Sequence, residues 1–148
     1  MHRSFALLAG LALLAPVCLY SQEKKSELRP ASKQWTGVLA NKKLQDVAKA
    51  GQIITDAETL AKVWTSWKGK AALPEVDFKT QFVVVYTSDY ELNKMSLYGG
   101  PDKWKGSVSN KSPKQLSGFS WAIGIFETKG VKEISGVNLE DKDKPKDK

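Results

Sequence analysis

A single histidine, His2, and a single cysteine, Cys18, supply all the imidazole and thiol in this sequence. Both stand in an apolar N-terminal stretch that reads as a cleaved export leader, so the mature protein is expected to carry neither. That removes the commonest general base, the usual zinc ligands, the thiol nucleophile and any disulfide. The remaining reactive types are carboxylates, hydroxyls and amines. Asp77 lies between Val76 and Phe78 at the start of an apolar strand, where a charge must be bonded. It is either a ligand or partner contact, or a cap on the backbone of the Pro74–Lys79 turn. Asp89, Glu91 and Asn93 have the alternating oxygens that open a calcium loop, but Lys94 stands where glycine is needed and Gly100 where the bidentate glutamate belongs. Ser112 and Lys114 lack the Ser-x-x-Lys spacing, and Pro113 forbids a helix there. Glu75, Asp77, Asp89 and Glu91 could furnish paired carboxylates for hydrolysis, although all four sit beside turns. No catalytic residue, cofactor or metal site is expected.

Five tryptophans are many for this length. Trp64, Trp67 and Trp121 fall on expected core faces. Trp104, flanked by Lys103 and Lys105, is expected to be the exposed one, available to a sugar ring or a partner surface.

Residues 1–21 resemble a secretory signal: Arg3, then an apolar run from Phe5 to Tyr20, then Ser21 before polar residues. The run is short for a bilayer span, which takes about 20 residues. Cleavage near Ser21 predicts an exported, periplasmic or extracellular protein with no transmembrane span. Lipid attachment at Cys18 is the alternative, and Val17 before it is bulkier than lipoprotein processing favours. The formal net charge is +7, and apart from Arg3 and Arg29 every base is a lysine. Specific nucleic-acid sites favour the forked guanidinium, so none is expected. Spread lysines give solubility, with a weak attraction to polyanions or membrane surfaces as the secondary reading.

The elements that must position these residues are legible from patterning. Residues 22–33 read as a polar tether and 140–148 as a disordered charged tail. One globular domain is expected over 34–139. Thr55-Asp56-Ala57-Glu58 reads as a capping box for a helix from Asp56 to Trp67, with an apolar stripe at Leu60, Val63, Trp64 and Trp67 and a stop at Gly69. Gln52 to Ile54 reads as a short strand. Phe82 to Tyr86 reads as a central strand buried on both faces. Met95 and Leu97 face Trp104 and Val108 across a hairpin turn at Gly99–Asp102. From Phe119 the period is two, with Phe119, Trp121, Ile123 and Ile125 on one face and Ser120, Ala122, Gly124 and Phe126 on the other. Lys129-Gly130 predicts a further hairpin turn into Val131–Ile134. The fold class is α+β: a curled, mostly antiparallel sheet of about six or seven strands packed by one amphipathic helix. A small barrel or sandwich plugged by the helix is the alternative.

Val63-Trp64, Leu73-Pro74-Glu75-Val76-Asp77-Phe78 and the strand Phe82–Tyr86 together resemble the C-terminal domain of the PrcB protease-complex-subunit family. The chain also resembles a group of short, exported, uncharacterised bacterial proteins with a late Gly-Phe strand, here Gly118-Phe119, and a closing Gly-Val, here Gly130-Val131. The likeness covers about residues 52–136. Where the PrcB family carries Gly-Gly-Tyr, this chain has Tyr98-Gly99-Gly100. The resemblance implies a non-enzymatic accessory domain that associates with another exported protein such as a protease. Asp77, Trp104 and Tyr98 are the expected contacts. The alternatives are a carboxylate-dependent hydrolase and a carbohydrate or cell-wall binding domain.

Overall fold

Strand β4 (Gln81–Gly99) and strand β5 (Lys103–Glu127) form one long antiparallel hairpin that organises everything else. The structure, a computed structural model, describes residues 26–100 and 103–140. The leader, the charged tail beyond Glu140 and the tip of the hairpin turn lie outside the described residues. The hairpin cannot be straight. A strand of 25 residues would be about 80 Å long. Yet β6 (Glu133–Ile134), a few residues after the end of β5, pairs in parallel with its beginning, Lys103 and Trp104. Residues 128–132 span less than about 20 Å, so the hairpin doubles back on itself.

The bend has a local cause. Register shifts fall between Ser88 and Tyr90, Tyr90 and Leu92, and Leu92 and Met95. Such bulges kink a ladder and leave backbone groups unpaired. Ser120, the one buried polar residue among those described, serves them: its hydroxyl accepts from Leu92 N (3.3 Å) and donates toward the carbonyls of Ser88 and Tyr90.

Doubling back gives two cores on opposite faces of one sheet. The near half reads β3 (Gln52–Ile54), β4, β5, β2 (Lys33–Leu39). Its outer face packs helix α1 (Ala57–Lys68) through Leu60, Val63, Trp64 and Trp67 against Val83, Val85, Trp121, Ile123 and Ile125. Its inner face packs Phe82, Val84, Ala122 and Phe126 against the folded-back Met95, Leu97 and Trp104. This is why Phe82 to Val85 are apolar on both parities, and all four are fully buried. The far half continues as β1 (Glu27–Pro30), β4, β5, β6 and β7 (Val137–Asn138). The result is the expected α+β fold, a curled mixed sheet of seven strands with one main helix. The sheet is not closed, and the helix covers a face instead of plugging a barrel.

Three local expectations need correction. The expected tether is partly strand: Glu27–Pro30 pairs with Ser96–Gly99, because the folded-back hairpin exposes an edge there. The helix cap is Asp56, whose carboxylate accepts from Thr59 N at 2.7 Å; Thr55 lies one residue outside the helix start. The turn at Gly130 exists, with φ of 72°, but leads across to the far end of β5 and not back along its near end. The stop at Gly69 is as expected: φ is 61° and its N–H donates to Thr65 O.

Trp35, Trp64, Trp67 and Trp121 meet in the helix-facing core. Trp67 stacks on Trp121 at 5.8 Å and Trp35 meets Trp64 edge-on at 5.2 Å. Gly37 makes room for this: a Cβ there would lie 2.5 Å from Trp121 Cζ2. Because the Trp67 stack holds that ring, Gly37→Ala is expected to cost about 1–3 kcal/mol. In a Trp121→Phe background the same methyl meets a shorter ring, so the two changes should couple by about 1 kcal/mol in denaturant titrations of the double-mutant cycle. Strict additivity would show that the indole is not the obstruction.

Candidate functional site

The three expected contact residues separate. Asp77 is exposed and committed to its own turn. Its carboxylate accepts from Lys79 N (3.1 Å) and Thr80 Oγ1 (3.0 Å), while its carbonyl accepts from Gln81 N (2.7 Å). The backbone N–H of Lys79, then the side-chain hydroxyl of Thr80, holds its pKa below the ordinary carboxylate value. A carboxylate lowered in the fold stabilises above its unfolded pKa, about 3.9. Asp77→Asn should therefore be less stable than the parent at neutral pH, and the gap should shrink as pH falls through the lowered value. Urea midpoints across that range test it. A gap that persists unchanged at about pH 2 would mean that the charge is not what fixes the turn.

Trp104 is buried, not exposed. Its indole points into the inner core, Nε1 donates to Gly130 O at 3.0 Å, and the Arg29 guanidinium lies 4.2 Å over the ring. The flanking lysines suggested a solvent-facing edge, whereas strand parity from the folded-back hairpin points Trp104 inward with Leu97. Tyr98, of opposite parity on β4, is exposed. Its register partners are Leu28 on one side and Lys105 on the other. Tyr98 and Trp104 nevertheless border one cleft of about 270 Å³, with Lys103, Lys105, Glu133 and Gly136 around it.

Three of the other acids are tied to lysines: Asp89 to Lys42 (3.5 Å), Glu91 to Lys111 (2.9 Å) and Glu133 to Lys103 (3.6 Å). Both Asp89 and Glu91 lie within strand β4. Among the described residues no three His, Cys, Asp or Glu side chains are grouped as metal ligands. Ser112 Oγ accepts from Lys114 N, a local turn bond. No helix among the described residues is long and apolar enough to cross a membrane.

A second feature was not legible in the sequence. The curled sheet leaves a seam between its two ends. Beyond the pair with β6, residues 105–118 of β5 have β4 alone as a strand neighbour. β3 pairs with β4 on one side only. Tyr86 lies between these two edges: Cβ atoms built at Gly51 and Gly106 would come within 3.7 Å and 2.7 Å of its hydroxyl. Burial, and secondarily the facing Tyr98, raise the Tyr86 pKa above the ordinary phenol value. Along the seam runs a cleft of about 350 Å³, bordered by Lys49, Gly51, Gln52, Ile53, Ser135 and Val137. Two features adapt the backbone here. Gly51 has φ of 78° and Ser135 is the one described non-glycine residue at positive φ, 48°. The glycines at 51 and 106 are the only sequence trace of the seam, and their meaning depends on Tyr86 reaching between them.

No family model, curated protein or solved structure matches the chain.

Proposed function

We propose that this chain is an exported, non-enzymatic accessory module that takes up an extended segment of another exported protein along the seam of its open sheet. The observation that carries the reading is the pair of unpartnered strand edges, β3 and β5, facing across Tyr86 beside a cleft. Unpaired edge groups offer main-chain hydrogen bonds to an added strand, and a bordering cleft takes its side chains. β7 is too short to blunt this edge, and its Val137 is 41 % exposed. A protease as the partner class comes from the PrcB-like segment around Asp77 and is part of the proposal.

Tagged protein crosslinked in its own cells, followed by mass spectrometry, tests the reading. The parent should bring down an exported protein reproducibly. Val137→Lys places a charge on the edge, a change that native sheets use to refuse strands. It should lower recovery at least tenfold while leaving the melting curve unchanged. Equal recovery by parent and variant, or none above background by the parent, would contradict the proposal.

A further inference from the structure

We infer that the outward face of β1, β4 and β5 at the far end of the sheet docks on an anionic lipid surface. It adjoins the seam at Lys105 but uses the outward side chains instead of the strand edge, so the inference does not depend on strand uptake. Leu28, Tyr98 and Lys105 stand side by side in register across the three strands and point away from the inner core. Leu28 is 67 % exposed and Tyr98 43 %. On a small sheet edge, alternation normally places polar residues at such positions.

The surrounding charge has the sign that lipid phosphate requires. On this face Lys103 and Lys105 supply two bases against one acid, Glu133. The Lys103 side chain is 80 % exposed and held to Glu133 only at 3.6 Å. Tyrosine and leucine partition to the headgroup boundary while lysine stems reach the phosphates.

Position supplies the third support. Ser26 borders the cleft beside Tyr98, so the preceding sequence joins the domain at this face. Six residue steps separate Ser26 from Tyr20, the end of the apolar run, a reach of at most about 20 Å. Until cleavage near Ser21 releases it, a run inserted in a bilayer keeps this face close to the lipid surface. The helix-covered face has no such tether.

The test uses protein recovered from the exported fraction of producing cells, its N-terminus read by mass spectrometry. It is floated with vesicles of phosphatidylcholine alone or with phosphatidylglycerol added. The parent should float with the phosphatidylglycerol vesicles. It should float about tenfold less with phosphatidylcholine alone, or in salt raised to about 1 M, where the Debye length falls to about 3 Å. Leu28→Ser with Tyr98→Ser should cut flotation at least tenfold, and Lys105→Glu should do so independently. All three substitutions are at exposed sites, and superimposable melting curves establish that each variant folds. Flotation of both variants like the parent would overturn the inference, as would binding indifferent to phosphatidylglycerol. The latter pattern would assign the lipid contact to the N-terminal apolar run. Retention on heparin without flotation would overturn it too, reducing the lysines to general polyanion attraction. Strand uptake is read separately by Val137→Lys, so either reading can fail alone.

Discussion

Trp104→Ala should unfold in denaturant about 3–5 kcal/mol more easily than the parent, the range for deleting a large aromatic from a packed core. Trp104 is 2 % exposed and touches three parts of the chain at once. It packs with the inner core, its Nε1 holds Gly130 O, and its ring carries the Arg29 guanidinium of β1. Its carbonyl also accepts from Ser135 N, next to the parallel pair with Ile134. Loss of the indole should therefore loosen residues 131–139 most, seen as faster amide exchange there. Trp104→Phe keeps much of the apolar volume but loses the bond to the Gly130 carbonyl, so a smaller loss of about 1–3 kcal/mol is expected. A surface tryptophan would give changes within about 0.5 kcal/mol. That outcome would restore the exposed position suggested by the flanking lysines and reject the doubled-back hairpin.

Gly118→Ala is the second large effect, and its cause is different. A Cβ at 118 would collide with the carbonyl oxygen of Leu39 and lie 2.8 Å from Ala40 Cα. These are backbone atoms, so no rotamer change relieves the contact. The end of β2 would have to lift from β5 at the Leu39–Phe119 pair, beside the buried Phe119. About 3 kcal/mol is expected, the upper end of the overpacking range. Thermal melts should show one cooperative transition at lower temperature. A shift under about 0.5 kcal/mol would mean that β2 ends earlier than Leu39.

Local elements were legible because their causes are local. The stripe at Leu60, Val63, Trp64 and Trp67 fixes the buried face of α1, and it packs as spaced. The alternation from Phe119 to Phe126 sorts residues between two cores, as it does in the structure. The continuous run Phe82 to Val85 announces burial on both sides without saying what covers each side. The missing information was the bend. Periodicity cannot tell a straight hairpin from one that doubles back, because the bulges after Ser88 depend on Ser120, over 30 residues away. Apart from the helix cap at Asp56, what was misplaced follows from that bend. It turns residues 27–30 from tether into strand, buries Trp104, sends Val131–Ile134 to the far end of β5, and leaves the seam beside Tyr86. Asp77 was the opposite case: a capping role within one turn was readable from a few neighbouring residues, and its hydrogen bonds agree.

The central claim is that the open seam receives a strand from another protein. Photo-crosslinking from single positions in living cells addresses it directly. A photoreactive residue replaces Lys49, Ser107 or Val137 along the seam, or Lys62 on the exposed side of α1 as a control, all four being exposed. The seam positions should each yield adducts with one contiguous peptide of the same exported protein, and Lys62 should yield none. Adducts from Lys62 as abundant as those from the seam, or no adduct from any seam position, would contradict strand uptake.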